Sequence, residues 1–112
     1  MFDAQAEESK AIASLALNNA DNCVKIAAAG GIADVLAAMR AHRSHAGVQE
    51  HVCRALANLA VHNAGNQIKI ATVGGIECII AAMSAFPKLG KPRPLCSTLL
   101  FQRGPRFVGS HR

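Results

Sequence analysis

Apolar side chains recur through the first three quarters of the chain with the spacing of one helix face. Between Ile32 and Met39 they stand at i, i+3, i+4 and i+7, the pattern of an amphipathic helix. A longer segment, from about Ala46 to His62, carries a stripe of the same period: Val48, Val52, Ala55, Leu56, Leu59 and Ala60. The pattern predicts an all-helical fold over residues 2–86.

The same pattern occurs twice, with an offset of 44 residues. Residues 11–41 and 55–85 are identical at 17 of 31 aligned positions. Most of the other pairs are conservative, such as Ile12 with Leu56 and Val24 with Ile68. Self-similarity over a period of roughly 20–50 residues is typical of repeat architectures. We therefore expect two copies of one structural unit.

Each unit is predicted to contain three helices, of which the first is short. It covers residues 22–29 in one copy and residues 66–73 in the other. Asn22 and Asn66 are suited to cap its start, since a side-chain oxygen there accepts a backbone N–H bond. A glycine pair then ends the helix, because glycine adopts the left-handed conformation without strain. The turn residues are Gly30, Gly31, Gly74 and Gly75.

The N-terminus aligns with the third helix of a unit, because residues 2–18 match residues 46–62. The predicted apolar stripe of this first helix is Ala11, Ile12, Leu15 and Ala16. Residues 19–62 then form one full unit, and residues 63–86 form the first two helices of another. The stripe of the last helix is Ile76, Ile79, Ile80 and Met83. Breaks between helices are expected near residues 18–21, 30–31, 42–45, 63–65 and 74–75.

Composition changes abruptly after Phe86. Residues 87–112 hold all four prolines and six of the 12 Lys and Arg, but no acidic residue. Pro92 and Pro94 fall where the next third helix should run, and proline removes a backbone donor and clashes with the preceding turn. We expect a disordered basic tail over 87–112. The apolar stripe of the last helix is then uncovered, which predicts marginal stability or self-association through that face.

The motif A-L-x-N-L-A, followed by N-x-x-x-I and G-G-I, resembles the armadillo repeat over about residues 2–86. Within that family, the chain is most similar to the armadillo region of large leucine-rich-repeat kinases, through the segments GVQEHVCRALANLAVHN and AMRAH. The resemblance implies an armadillo-like, right-handed superhelical solenoid of three-helix repeats. It also implies that the third helices line a concave groove in which an extended peptide binds.

The resemblance places candidate binding residues on the third helices. Where importin-α has a Trp followed by an Asn, this chain has Arg54 and Asn58, so recognition of nuclear-localisation peptides is in doubt. The basic groove positions, Lys10 and Arg54, resemble the groove of β-catenin instead, which binds acidic extended ligands. At ~100° per residue, residues 51, 54, 58 and 62 form one polar row; a solvated helix face is the alternative interpretation. The candidate residues are Lys10, Ser14, His51, Arg54, Asn58 and His62.

No residue pattern indicates catalysis, a cofactor or a metal. His42 and His45 lie in a predicted loop without a Cys or an acid at ligand spacing. The glycine pairs lack the G-x-x-x-x-G-K pattern of a phosphate loop. No nucleophile stands with a base and an orienting group. We expect a protein without enzymatic activity.

The four cysteines are widely spaced, and nothing before Cys23 resembles a signal peptide. No apolar run approaches the ~20 residues of a membrane span. These features favour an intracellular protein of the cytoplasm, with the nucleus left open, whose cysteines are reduced core residues. The predicted function is a scaffold that binds a protein or peptide, acidic if the basic positions select it. The alternative is binding of nucleic acid or an anionic surface through the basic tail.

Overall fold

A computed structural model of the chain describes residues 2–90, and within that range it contains six α-helices and no strand. The helices are α1 (Phe2–Ala16), α2 (Ala20–Ala28), α3 (Gly31–Ala41), α4 (Ala46–Ala60), α5 (Ala64–Thr72) and α6 (Gly75–Ala85). A 3-10 helix, η1, spans Pro87–Gly90. The all-helical prediction is confirmed for these residues.

The short helices α2 and α5 begin two residues earlier than predicted. Their caps are Asn19 and Asn63, whose side-chain oxygens each accept the N–H three residues later at 2.9 Å. Both caps have the extended backbone that this position requires, with φ of −137° and −138°. The prediction that Asn22 and Asn66 are the caps was therefore wrong. The break predicted at residues 63–65 lies at residues 61–63 instead.

Asn22 and Asn66 instead tie each short helix to the helix before it. The Asn22 amide nitrogen donates to the Leu15 carbonyl oxygen at 2.8 Å, and that of Asn66 donates to the Leu59 carbonyl oxygen at the same distance. The carbonyls near a helix end have no partner within the helix, so these bonds satisfy them. The same hydrogen bond thus fixes the turn between α1 and α2 and the turn between α4 and α5, which we call the α1–α2 and α4–α5 corners.

Helices α1 and α4 end at Ala16 and Ala60, two residues before the predicted ends. Asn18 and His62, at equivalent positions, have left-handed backbone with φ of 53° and 54°. A left-handed residue cannot continue a right-handed helix. The chain therefore turns at these two positions in both units.

The two glycines of each predicted turn serve different purposes. Gly30 and Gly74 have φ of 91° and 88°, which favours glycine at the start of the next helix. A Cβ atom on Gly31 or Gly75 would lie 3.0 or 2.7 Å from the carbonyl oxygen five residues earlier. The second glycine therefore permits the close approach of the following helix. The predicted turns are confirmed.

Helix α4 packs against α1 and α3, and the core is centred on these three helices and extends to α2, α5 and α6. Equivalent helices also contact one another, α3 with α6 and α2 with α5. Both apolar stripes predicted for the complete unit are buried: Ile32, Val35, Leu36 and Met39 on α3, and Val48, Val52, Ala55, Leu56, Leu59 and Ala60 on α4. The 3.6-residue period therefore identified the core of this unit correctly.

The stripe predicted for α1 was largely wrong. Ala16 is buried, but Ala11 and Leu15 are exposed and Ile12 is only half-buried. Ser9, Ala13 and Ala16 form the buried face instead, because α1 packs chiefly on α4. No helix of the described chain covers α1 in the way that α3 covers α4. Leu15 is consequently 56% exposed, whereas its equivalent, Leu59, is 0% exposed.

The predicted exposure of the α6 stripe holds only in part. Ile80 is exposed and Ile76 and Met83 are half-buried, but Ile79 is fully buried. Ile79 differs because α6 also contacts α3, α5 and η1. Helix η1 contains the first four residues of the predicted disordered tail, and the remainder, residues 91–112, lies outside the described residues.

Within residues 2–90, no single helix has both the length and the apolar composition needed to cross a membrane. Two bent helix pairs, α2 with α3 and α5 with α6, satisfy the length and composition criteria when each pair is taken together.

The pair Leu59 and Leu15 allows a test of the repeat context. We expect Leu59→Ala to lower the free energy of unfolding by roughly 2–5 kcal/mol, because it leaves a cavity in the core. Leu15→Ala should change it by about 0.5 kcal/mol or less, since the side chain is largely solvated. Urea denaturation followed by circular dichroism measures both. Equal effects would contradict the packing described for α1 and α4.

Candidate binding surface

The predicted polar row lies on α4, next to α1, and its charges are paired. The Lys10 ammonium nitrogen lies 3.4 Å from a Glu7 carboxylate oxygen on α1. On α4, a guanidinium nitrogen of Arg54 lies 3.3 Å from a Glu50 carboxylate oxygen. Each candidate cation thus has an acid on its own helix. The surface shared by α1 and α4 therefore carries both signs of charge rather than basic groups alone.

Two buried atoms in this row have no hydrogen-bond partner among the described residues: Nδ1 of His51 and Nε of Arg54. A buried polar atom without a partner costs about 1–3 kcal/mol. The Arg54 Nε–H is a donor, and His51 Nδ1 donates or accepts according to its tautomer. Because both atoms are buried, a ligand reaches them only if these side chains move.

His51 lies near four charged side chains, Glu7 and Lys10 on α1 and Glu50 and Arg54 on α4. Burial lowers the pKa of its imidazole, and the nearby Lys10 and Arg54 lower it further, while Glu50 and Glu7 act in the opposite direction. The neutral imidazole is therefore favoured in the folded chain. Lys10 and Glu7 stand on α1, so both helices shape the environment of this side chain.

The other three candidates differ in their surroundings. Ser14 and His62 are exposed, whereas Asn58 is half-buried. An amide N–H of Asn58 donates to the Ala13 carbonyl oxygen at 2.8 Å, which joins α4 to α1. Part of the capacity that the sequence assigned to a ligand is therefore used within the fold.

A cavity of about 270 Å³ opens at the C-terminal end of the row, between the α1–α2 and α4–α5 corners. Asn58 and His62 line it together with Leu17 and Val61. Leu17 is 57% exposed and Val61 is 38% exposed. The complete lining is Ala16, Leu17, Asn18, Asn19, Ala20, Cys23, Asn58, Val61, His62 and Asn63.

Leu17 and Val61 were missed as candidates, although they are equivalent positions of the two units. Their exposure follows from the left-handed residue after each of them, which turns the chain away from the core. Val24 and Ile68 are a second equivalent pair that is exposed in both units. Exposure that recurs in both copies is a property of the unit and not of its ends.

A larger cavity, of about 590 Å³, lies elsewhere, between α3, α5 and α6, and none of the candidate residues lines it. Arg40 borders this cavity, and its guanidinium donates to the Val73 carbonyl oxygen at 2.6 Å. The bond links α3 to the end of α5. Arg40 thus has a structural role at the junction of the two units.

The loop histidines also have structural partners. Nδ1 of His45 accepts the Val48 N–H at 3.1 Å and so caps α4, and His42 is hydrogen-bonded to Gln5 of α1. Over the described part of the chain, no three His, Cys, Asp or Glu side chains are grouped as metal ligands. The cap by His45 is local to the start of α4, whereas the contact of His42 with Gln5 depends on how α1 is placed.

Comparison of the chain with protein-family models, with curated proteins and with solved structures found no match. The proposal of a function therefore rests on the chemistry of the surface. It combines a neutral row of paired charges, two unpartnered polar atoms and an apolar-walled cavity.

The pKa of His51 predicts a dependence of stability on pH. Because the folded pKa lies below the unfolded value, this residue contributes stability above the unfolded pKa of about 6.5. That contribution is lost as the pH falls through the folded pKa. We expect His51→Gln to lose less unfolding free energy between pH 8 and pH 5 than the parent chain. The exposed His62→Gln is the control, and an identical loss in His51→Gln and the parent would contradict the assignment.

Proposed function

We propose that the chain is a protein-interaction module of armadillo type that binds an extended segment of another polypeptide. The observation that carries the proposal is the cavity at the end of the α4 row, where Leu17 and Val61 flank Asn58 and His62. Ligand sites commonly combine apolar walls with a few polar groups that fix orientation. The cavity has this composition.

The arrangement of the helices supports a repeat solenoid. Each helix of the second unit contacts its equivalent in the first, as repeats that bury their apolar faces against neighbours do. Helices α1 and α4 lie side by side as successive third helices. Their shared surface is then the groove that armadillo-type packing offers to a ligand.

We propose that an apolar side chain of the bound segment enters the cavity between Leu17 and Val61. The adjoining backbone runs along α4, where a carbonyl oxygen accepts an N–H from the accessible part of the Arg54 guanidinium, since this side chain is 36% exposed. His51 lies one turn from Arg54 and offers a second polar contact.

Charge contributes little to this mode of binding. Lys10 and Arg54 already have acidic partners, and exposed ion pairs contribute only ~0–1 kcal/mol. An acidic ligand would have to displace Glu7 and Glu50 to pair with them. The proposed ligand is therefore defined by its apolar side chain, and acidity is a secondary feature.

The test is selection of a random peptide library on the full chain. We expect enrichment of segments with a large aliphatic or aromatic residue. Leu17→Asp and Val61→Asp should each weaken the enriched peptides roughly tenfold or more, because burying such a side chain contributes about 1.5–3 kcal/mol. Arg54→Gln should weaken them less. Fluorescence anisotropy titrations measure these affinities.

Ile68→Asp is the matched control, since Ile68 is as exposed as Leu17 but does not line the cavity. It should leave the affinities unchanged. Unchanged affinities in Leu17→Asp and Val61→Asp would refute the site. If binding survives both substitutions and weakens steeply with salt, the alternative, an anionic partner of the basic tail, is favoured instead.

A further inference from the structure

The two ends of the described chain are the two complementary parts of one repeat unit. Helices α5 and α6 are equivalent to α2 and α3, and α1 is equivalent to α4. We infer that copies of this chain associate head to tail, with α1 of one copy packed on α6 of the next. That contact would reproduce between copies the α3–α4 interface already present within the chain.

Burial at equivalent positions identifies the two faces. On α3, Leu36 is 0% exposed because the complete unit covers it, whereas its equivalent on α6, Ile80, is 51% exposed. Ile76 and Met83 are likewise less buried than Ile32 and Met39. The part of α6 that remains exposed is thus the part that α4 covers on α3.

Helix α1 presents the matching face. Its exposed stripe is equivalent, residue by residue, to a stripe of α4 that is fully buried. The exposed residues are Ala4, Glu8, Ala11 and Leu15, and their buried equivalents are Val48, Val52, Ala55 and Leu59. Three of the four α1 residues are apolar, so most of this face is suited to burial on α6.

A polar contact that joins α4 to α3 within the chain has equivalent residues in the proposed contact between copies. Within the chain, the buried Gln49 donates from its amide nitrogen to the carbonyl oxygens of Met39 and His42, at 3.0 and 2.9 Å. Gln5 is the equivalent of Gln49, and Met83 and Phe86 are the equivalents of the two acceptors. In the proposed contact, Gln5 donates to the last carbonyls of α6, where backbone acceptors lack helical partners.

Glu8 limits the strength of the association. It stands where the complete unit has the fully buried Val52, and the described part of α6 offers no Lys or Arg to pair with it. Burying an unpaired carboxylate is unfavourable. The contact is therefore weak, and replacing Glu8 by the residue of the complete unit should strengthen it.

The sequence after η1 does not repeat the α4 pattern, whereas α1 of a second copy does. It carries Pro92 and Pro94 in the register of α4, and each proline removes a backbone donor. A head-to-tail contact joins two different faces, and unless the rotation closes a ring, such contacts allow the chain of copies to grow. We expect the average mass to rise steadily with concentration.

The test uses sedimentation velocity on the full chain with two charged variants. Leu15→Asp places a charge only on the α1 face, and Ile80→Asp places a charge only on the α6 face. Each variant alone should be monomeric at concentrations where the parent chain associates, whereas an equimolar mixture should form a dimer and nothing larger. Circular dichroism verifies that both variants are folded, which their exposed positions favour.

Matched controls separate this contact from the peptide site. Leu17→Asp and Ile68→Asp add the same charge at positions of similar exposure outside both faces, and they should leave the association unchanged. Leu15→Asp should retain the affinity for enriched peptides that Leu17→Asp loses. The two proposals can therefore fail separately.

Glu8→Val provides a gain of association, with Glu7→Val as its control. Glu8→Val should shift assembly to at least tenfold lower concentration, while Glu7→Val, on the neighbouring face, should not. The inference is overturned if Leu15→Asp still self-associates while Ile80→Asp does not, because two α6 faces then pair with each other. It is equally overturned if the parent and Glu8→Val are monomeric throughout, because the α6 face is then closed to a second copy.

Discussion

Burial of the α4 apolar face against α3 and α1 is the interaction on which the other features depend. It places α1 beside α4, and this adjacency creates the shared surface on which His51 and Arg54 lie. It also explains why the ends of the described chain differ from its middle. A unit of this kind cannot bury its stripe alone, so each stripe is covered only where a neighbour is present.

Periodicity predicted the helices and the complete unit well, because every residue of the α3 and α4 stripes is buried. It failed for Leu15, since a period identifies an apolar face but not whether a partner covers that face. It also failed at Asn22 and Asn66. Each of them has a second asparagine three residues earlier, and from the sequence either asparagine could cap the helix. Only the extended backbone at Asn19 and Asn63 identifies these two as the caps.

The sequence analysis identified the polar row but neither the pairing of its charges nor the cavity. The row from His51 to His62 follows from helical geometry, and α4, which carries it, packs against α1. The pairing of its charges was missed, although Glu7 with Lys10 and Glu50 with Arg54 have the i,i+3 and i,i+4 spacing of helical ion pairs. The cavity depends on the left-handed residues at the two corners, for which the sequence carries only a weak signal.

The two classes of exposed apolar residues have different physical meanings. Leu17 and Val61 are equivalent and both are exposed, so no contact among the described residues covers either of them fully. Leu15 and Ile80 are exposed although their equivalents are fully buried, so the partner that covers them best is another part of the same unit. The two proposed contacts therefore use different residues of the unit, one set along its side and the other at its ends. Selection can adjust them separately, because no residue among these four belongs to both.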